Sequence, residues 1–308
     1  MGVPIGNIKD VFSFGKDADK QKRELIRIAI FVEEGADPQL LDLLKEHLSP
    51  QTGSGLIHVE KFRQAQDCLI NTQSDCAVIV SADGDEAALL YALFKKSQLP
   101  ACVLSIDEAK AHRLLKLAPF AAAEDFLWAT GPAQMQEKLA RWILDHNSDK
   151  ELAFAYNFPF VRRVLANKIV ADTAKQNALV GGIVIIPGAD MPVMTANQAK
   201  MVLQIAAAYG QELGAARIKE LLGVLASAFA FRTIARQALT FVPALGWALK
   251  AAIGYSATMA MGKLVIEYFE EGGSAGSLAK KLKDSSSELI QKAVQSSRDK
   301  FTSAKKTQ

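Results

Sequence analysis

The sequence predicts an α/β domain followed by an all-α module, and three observations carry this prediction. In the first half, five short apolar runs, mostly β-branched or aromatic, alternate with helical patterns, as buried parallel strands with crossover helices require. In the second half this alternation stops, and small residues in helical patterns replace it. The length of 308 residues also exceeds what one hydrophobic core usually reaches, which favours two domains.

The α/β domain is predicted from its elements in order. The apolar runs predict strands at 26–32, 55–59, 76–81, 101–106 and 126–129, and the helical patterns predict helices at 38–48, 63–71, 85–97, 108–117 and 133–144. Five βα units with right-handed crossovers form a doubly wound sheet, most simply in flavodoxin-like strand order. The predicted organisation is a polar lead-in at 1–23, the α/β domain at 24–147, a helical module at 148–271 and a basic tail at 272–308.

The loops at the carboxyl ends of the strands decide whether such a domain binds a ligand. After the first strand the chain carries Glu33, Glu34 and Asp37, where a phosphate-binding loop would need glycines and a lysine. Three carboxylates at this position would repel a phosphate group. The sequence therefore excludes a Walker-type phosphate site.

Two families of enzymes and switches have a similar layout. The domain resembles an eroded Era-like GTPase sheet, but only Asp107 matches that family's guanine-reading motif. It also resembles a receiver domain, with Glu33 and Glu34 after the first strand, Ser105 after the fourth and Gly131-Pro132 after the fifth. Ser81 stands in place of the phosphoacceptor aspartate, and Ala129-Thr130 replaces the lysine. Both resemblances fail at the essential residues, so no catalytic residue is predicted.

Composition and charge restrict the class of protein further. The net charge is +3, and the basic excess is concentrated in the tail, which contains eight Lys and Arg residues but only three Asp and Glu residues. Such a tail suits an anionic leaflet or simple solvation. Three cysteines without CxxC spacing favour a reducing compartment, and the four scattered histidines lack zinc-ligand spacing. We expect no metal, no cofactor and no nucleic acid partner.

A family resemblance appears in the second half. The residues that carry it are Asn177-Ala178, Gly181-Gly182, Pro187-Gly188-Ala189-Asp190, Gln198, Met201, Tyr209-Gly210, Pro243, Gly246, Gly262 and Tyr268-Phe269. In this order, over residues 160–271, the chain resembles the GTPase-associated domain of unknown function found in YcjF-like predicted membrane proteins. That resemblance implies membrane association and pairing with an Era-like GTPase. It implies no catalytic residues.

The apolar helices of this half contain the candidate sites. Between Arg236 and Lys263 the chain is long enough to span a bilayer, but Lys250 lies in its middle and the segment 243–246 breaks it. Gly254, Thr258 and Gly262 form a small-residue stripe that suits close helix packing in membrane or water. The candidate membrane or helix-packing residues are Pro243, Gly246, Trp247, Lys250, Gly254, Thr258 and Gly262. Pro187 and Asp190 are predicted to form a structural turn, with Asp190 capping the next helix.

These observations predict a non-catalytic adaptor at the cytoplasmic face of a membrane. The helical module would lie on or in the membrane, and the α/β domain would bind a protein partner, for which an Era-like GTPase is the candidate. One alternative is a soluble cytoplasmic scaffold that forms homo-oligomers through the small-residue stripe. The other is a nucleotide or phosphate sensor with an atypical site.

Overall fold

The computed structural model describes residues 8–82, 84–118, 120–183, 191–223 and 247–272. The first helix, α1 (Ile8–Gln21), lies within the predicted polar lead-in, and the sequence analysis did not predict it. Its buried positions Val11, Gly15 and Ala18 recur at helical spacing. The lead-in therefore contains an amphipathic helix.

The sheet confirms the predicted fold class. Its strands are β1 (Ile26–Glu33), β2 (Gly55–Phe62), β3 (Cys76–Val80), β4 (Ala101–Ser105) and β5 (Phe126–Trp128). All neighbouring pairs are parallel, and the order is β2-β1-β3-β4-β5, the flavodoxin-like order that the sequence predicts. The central strand β3 is buried at every position, because helices cover a parallel sheet on both faces.

Three helices connect the strands and a fourth follows β5. They are α2 (Pro38–His47), α3 (Glu86–Lys96), α4 (Glu108–Leu117) and α5 (Pro132–His146). Two of the four, α2 and α4, start at an aspartate whose side chain caps the helix. The Asp37 carboxylate accepts a hydrogen bond from the amide of Gln39 at the start of α2. On one face of the sheet, Phe31, Ile79 and Val103 pack in a core cluster with buried residues of α3 and α4.

The predicted helix at 63–71 is wrong. In its place the chain bends through one 3₁₀ turn (Ala65–Asp67) and irregular structure. Side chains divert the backbone from helical hydrogen bonding: the Glu86 carboxylate accepts the amide of Ala65 at 2.7 Å, and the Asn71 side chain accepts the amide of Gln73 at 2.9 Å. Consequently no α-helix separates β2 from β3.

The second half is helical, as predicted. Its elements are α6 (Glu151–Asn157), α7 (Pro159–Ile183), α8 (Met191–Ala208), α9 (including residues 215–223) and α10 (Trp247–Glu270). The chain divides into two compact units, and the first contains the sheet, with residues 19–165 and 207–210. The second contains α1 up to Ala18, most of α7 and α8, the described part of α9, and α10. The domain boundaries at 23, 147 and 271 stay predictions.

Candidate functional site

Three polar side chains lie where ligands of this fold bind, at the carboxyl edge of the sheet. Glu33 ends β1, Ser81 directly follows β3, and Ser105 ends β4. The two serines are completely buried, and Glu33 is 4% exposed. The sequence analysis singled out all three positions for their place in the fold, and the structure brings them to this edge.

Glu33 fills this edge with its own carboxylate. Oε2 accepts a hydrogen bond from the backbone amide of Ala82 at 2.5 Å, and the amide of Glu86 also donates to the carboxylate. A Cβ atom added to Gly84 would lie 2.7 Å from Glu33 Oε1, so the loop between β3 and α3 closes tightly over the carboxylate. The side chain thus occupies the place where amides at the start of a helix would hold a phosphate.

The charge balance around Glu33 is equally unsuited to a second anion. Burial raises the pKa of Glu33, the Ala82 hydrogen bond and nearby Lys110 act to lower it, and Glu86 acts to raise it, with a net upward shift. A phosphate group at this position would have to displace a buried carboxylate or lie beside it.

The serine pair is engaged in structural hydrogen bonds. Ser81 Oγ donates to the backbone oxygen of Leu104 at 2.8 Å and lies 3.1 Å from Ser105 Oγ. A serine becomes a nucleophile when a neighbouring base accepts its proton. Here a carbonyl oxygen accepts it, so Ser81 is held as a link between β3 and β4.

The remaining residues of this edge also have structural roles. Asp107, the single match to the GTPase motif, is the N-cap of α4, and its carboxylate accepts the amide of Lys110 at 2.8 Å. At the end of β5, the amide and hydroxyl of Thr130 both donate to the Gln134 side chain. Asp107 and Thr130 are exposed, and each side chain is engaged in a hydrogen bond at the start of the following helix.

Neither metal chemistry nor thiol chemistry is supported in the part of the chain that is described. Within it, no group of three or more His, Cys, Asp or Glu residues could hold a metal ion. The three cysteines are free and buried. Burial raises the pKa of Cys68 to about 11 and that of Cys76 to about 12, so both remain protonated near neutral pH.

The small-residue stripe of α10 packs against helices of the same unit. A Cβ on Gly254 would lie 2.8 Å from Met194 Cε and 3.0 Å from the backbone oxygen of Asn177. A Cβ on Gly262 would overlap the side chain of Val170. Glycine at both positions therefore permits a close approach of α7 to α10.

Thr258, between the two glycines, is the centre of a buried polar network. Its hydroxyl donates to the backbone oxygen of Gly254 at 2.8 Å. It accepts hydrogen bonds from the side-chain amides of Asn177 and Gln198, both at 3.0 Å. Asn197 extends the network by donating to Asn177 Oδ1. The sequence analysis selected Thr258 only for its size, although polar residues on otherwise apolar helices are the signal of such a network.

The other candidate residues of the helical half have less structural detail. Trp247 and Lys250 lie in α10, and their side chains are outside the description. Pro187, Asp190, Pro243 and Gly246 lie outside the described residues. None of the helices in the described ranges is both long and apolar enough to cross a membrane.

One buried charged cluster in the α/β unit was not anticipated. Asp125, 1% exposed, accepts hydrogen bonds from the Tyr91 hydroxyl at 2.6 Å and the Trp142 indole at 2.8 Å, and it pairs with Lys95 at 2.8 Å. Because its partners come from α3 and α5, the signal in the sequence is only an aspartate directly before a predicted strand. The cluster lies at the amino end of β5, away from the ligand-binding edge of the fold.

Comparison with known proteins extends this description of the helical half. A search of curated proteins and a search of solved structures each gave no match. Residues 156–299 match the family model described as Domain of unknown function (DUF697). The helical half is therefore similar to a domain of unknown function, as the sequence predicts for residues 160–271.

Proposed function

We propose that the chain is a non-catalytic, membrane-associated adaptor. In this proposal the helical module lies on or in the cytoplasmic face of a membrane, and the α/β domain binds a protein partner. The observation that carries the proposal is the Glu33 carboxylate, which occupies the ligand position of the fold and is held there by the Ala82 amide. A domain that keeps this sheet without an open ligand position is suited to present a surface.

The outer strand of the sheet supplies such a surface. Leu56 and Val59, which lie on opposite faces of β2, are 46% and 60% exposed, and no α-helix follows β2 before β3. Exposed apolar side chains on an edge strand are a common starting point for association with another chain. The family resemblance suggests the partner, an Era-like GTPase, and the basic tail suggests attraction to anionic lipids.

The alternative of a soluble oligomeric scaffold rests on the same helices. Gly254 and Gly262 face α7 of their own chain, so an oligomer would need another surface than this stripe. Lys250 within α10 would also be costly in the centre of a bilayer, by about 3 kcal/mol, which favours a helix at the interface over one that spans.

Membrane fractionation tests the proposal. We expect the full chain to sediment with membranes and a chain that ends at residue 165 to remain in the supernatant. A wash with sodium carbonate then separates insertion, which resists it, from interfacial attachment. A full chain that stays in the supernatant would replace the adaptor with the scaffold.

Nucleotide binding tests the remaining alternative, the sensor. Equilibrium dialysis of the full chain against Mg²⁺ and labelled GTP, ATP or inorganic phosphate should give no saturable binding. Saturable binding that is lost in Glu33→Lys but retained in Glu34→Lys, an exposed neighbour, would place a ligand at the carboxyl edge and replace the adaptor with the sensor.

A further inference from the structure

Helix α1 has one apolar face and one charged face. Val11, Phe14, Gly15 and Ala18 follow the spacing i, i+3, i+4 and i+7, which aligns them along one side of a helix. Val11 and Ala18 are 1% and 2% exposed. The exposed positions of the described helix are Lys9, Asp10, Ser13, Lys16, Asp17, Lys20 and Gln21.

This apolar face packs on α8 and α9. A Cβ added to Gly15 would lie 2.8 Å from Ile218 Cδ1 on α9 and 3.2 Å from Leu203 Cδ1 on α8. The ammonium group of Lys200 lies 5.3 Å from the centroid of the Phe14 ring, within cation–π range. Gly15 thus lies where α1 approaches α8 and α9 closely.

The residues of α1 are remote in sequence from the module that they complete. The family match begins at residue 156, whereas α1 ends at Gln21, before the first strand of the sheet. We infer that the faces of α8 and α9 around Leu203 and Ile218 form a helix-docking groove, and that α1 is its resident occupant and excludes amphipathic helices of other chains. This inference does not depend on the proposed function.

The chemistry of α1 defines the class of helix that the groove accepts. Its ligand carries apolar side chains on one face and a small residue at the crossing point, because Leu203 and Ile218 leave little room there. Even alanine at position 15 would press on both side chains, chiefly on their movable Cδ1 ends, and a larger residue would need more room than they leave.

The helix has properties of an exchangeable occupant. It is 14 residues long with a glycine at its centre, and isolated helices of this length are marginal in water. An interior glycine costs about 1 kcal/mol relative to alanine. Its helical structure therefore depends on the groove, while its attachment to the same chain gives it an effective concentration on the order of millimolar. A competing helix therefore binds only when α1 is no longer attached to the chain, or when its own affinity and concentration exceed those of the attached α1.

The test removes the covalent attachment from the full chain. A protease site inserted between Arg23 and Glu24, in the turn after α1, allows the N-terminal fragment to be released from the folded protein. A fluorescent peptide of residues 8–21 is then titrated into intact and cleaved chains. We expect the cleaved chain to bind the peptide and exchange its own fragment, and the intact chain to bind at least tenfold more weakly.

Peptide variants establish that the groove recognises the crossing point. The Gly15→Leu peptide should lose at least tenfold in affinity, whereas the Ser13→Ala peptide, changed at an exposed position, should bind like the parent. Equal binding by intact and cleaved chains would overturn the inference, as would equal binding by the Gly15→Leu peptide. Loss of the far-UV circular dichroism signal of the whole protein on cleavage would also overturn it, since an exchangeable occupant is removable from a folded module.

A substitution in the full-length chain tests the same groove without cleavage. Full-length Gly15→Leu should retain its fold, lose hydrogen-exchange protection in α1 and gain binding of the wild-type peptide. A folded Gly15→Leu chain that does not bind the peptide would contradict the existence of a free groove beneath α1.

Discussion

At the scale of a single residue, Gly262 sets the distance between α7 and α10. A methyl group there would overlap the Val170 side chain, which is 2% exposed and whose Cβ would lie 2.9 Å away. We expect Gly262→Ala to lower the free energy of unfolding by about 1–3 kcal/mol, because overpacking outweighs the gain in helix propensity. Urea denaturation measures the change. Ser256→Ala, at an exposed position of the same helix, is the control and should change stability by less than about 0.5 kcal/mol.

A second single-residue prediction concerns the buried carboxylate of Asp125. Burial acts to raise the pKa of Asp125, but hydrogen bonds from Lys95, Trp142 and Tyr91 outweigh it, and the pKa is lower than usual. Asp125→Asn should cost about 1–3 kcal/mol at neutral pH, because an amide cannot accept all three donors and leaves the Lys95 charge without its carboxylate.

The pH dependence of this effect has a definite sign. A carboxyl whose pKa is lower in the folded state stabilises the protein above the unfolded-state pKa of about 3.9, and this contribution is lost as the pH falls through the folded-state pKa. The difference in unfolding free energy between wild type and Asp125→Asn should therefore shrink below about pH 4. Asp145→Asn, at an exposed position of α5, is the control and should change the free energy of unfolding by less than about 0.5 kcal/mol at neutral pH. A constant difference for Asp125→Asn down to about pH 2 would contradict the assignment.

At the scale of elements, the sequence predicts what depends on local patterns. All five strands are where the apolar runs place them, and in the strands other than the exposed edge strand β2 the burial of a parallel strand imposes the apolar pattern on consecutive residues. The missed helix α1 and the false helix at 63–71 depend instead on distant groups. Leu203 and Ile218 stabilise α1, and Glu86 holds the irregular turn at Ala65.

The candidate site shows the same distinction between local sequence patterns, which can be predicted, and contacts between distant groups, which cannot. The failure of the phosphate-binding motifs can be predicted from Glu33, Ser81 and Ala129 because those motifs are local. The closing of the edge by Glu33 cannot be predicted in this way, since it requires the Ala82 amide from the loop after another strand, β3. The Asp125 cluster and the Thr258 network likewise join residues from separate helices.

Asn157, the last residue of α6, is predicted to hold the loop at 50–55 that leads into β2. Its side chain donates to Ser54 Oγ and to the Ala153 backbone oxygen, both at 3.0 Å, and accepts from Thr52 Oγ1 at 2.7 Å. We expect Asn157→Ala to lower stability by about 1–3 kcal/mol and to speed limited proteolysis in the loop at 50–55. Asn167→Ala, at an exposed position of α7, should leave the proteolysis unchanged and alter stability by less than about 0.5 kcal/mol. Unchanged proteolysis in Asn157→Ala would show that the loop is held by other contacts.

At the scale of the whole molecule, the extent of the α/β domain can be tested with two fragments. The sequence predicts a domain at 24–147, whereas the compact unit that contains the sheet takes in residues 19–165. The longer range adds the Lys150 ammonium, which pairs with Asp75 at 2.6 Å, and the Asn157 hydrogen bonds to the loop at 50–55. We expect fragment 19–165 to unfold cooperatively in urea, and fragment 24–147 to be less stable by about 2–4 kcal/mol.

A third fragment, 19–165 carrying Lys150→Ala and Asn157→Ala, separates the loss of these contacts from the shortening of the chain. Its free energy of unfolding should fall between those of the other two fragments. Equal midpoints for the first two fragments would place the folding boundary at 147, and residues 148–165 would then belong energetically to the helical module.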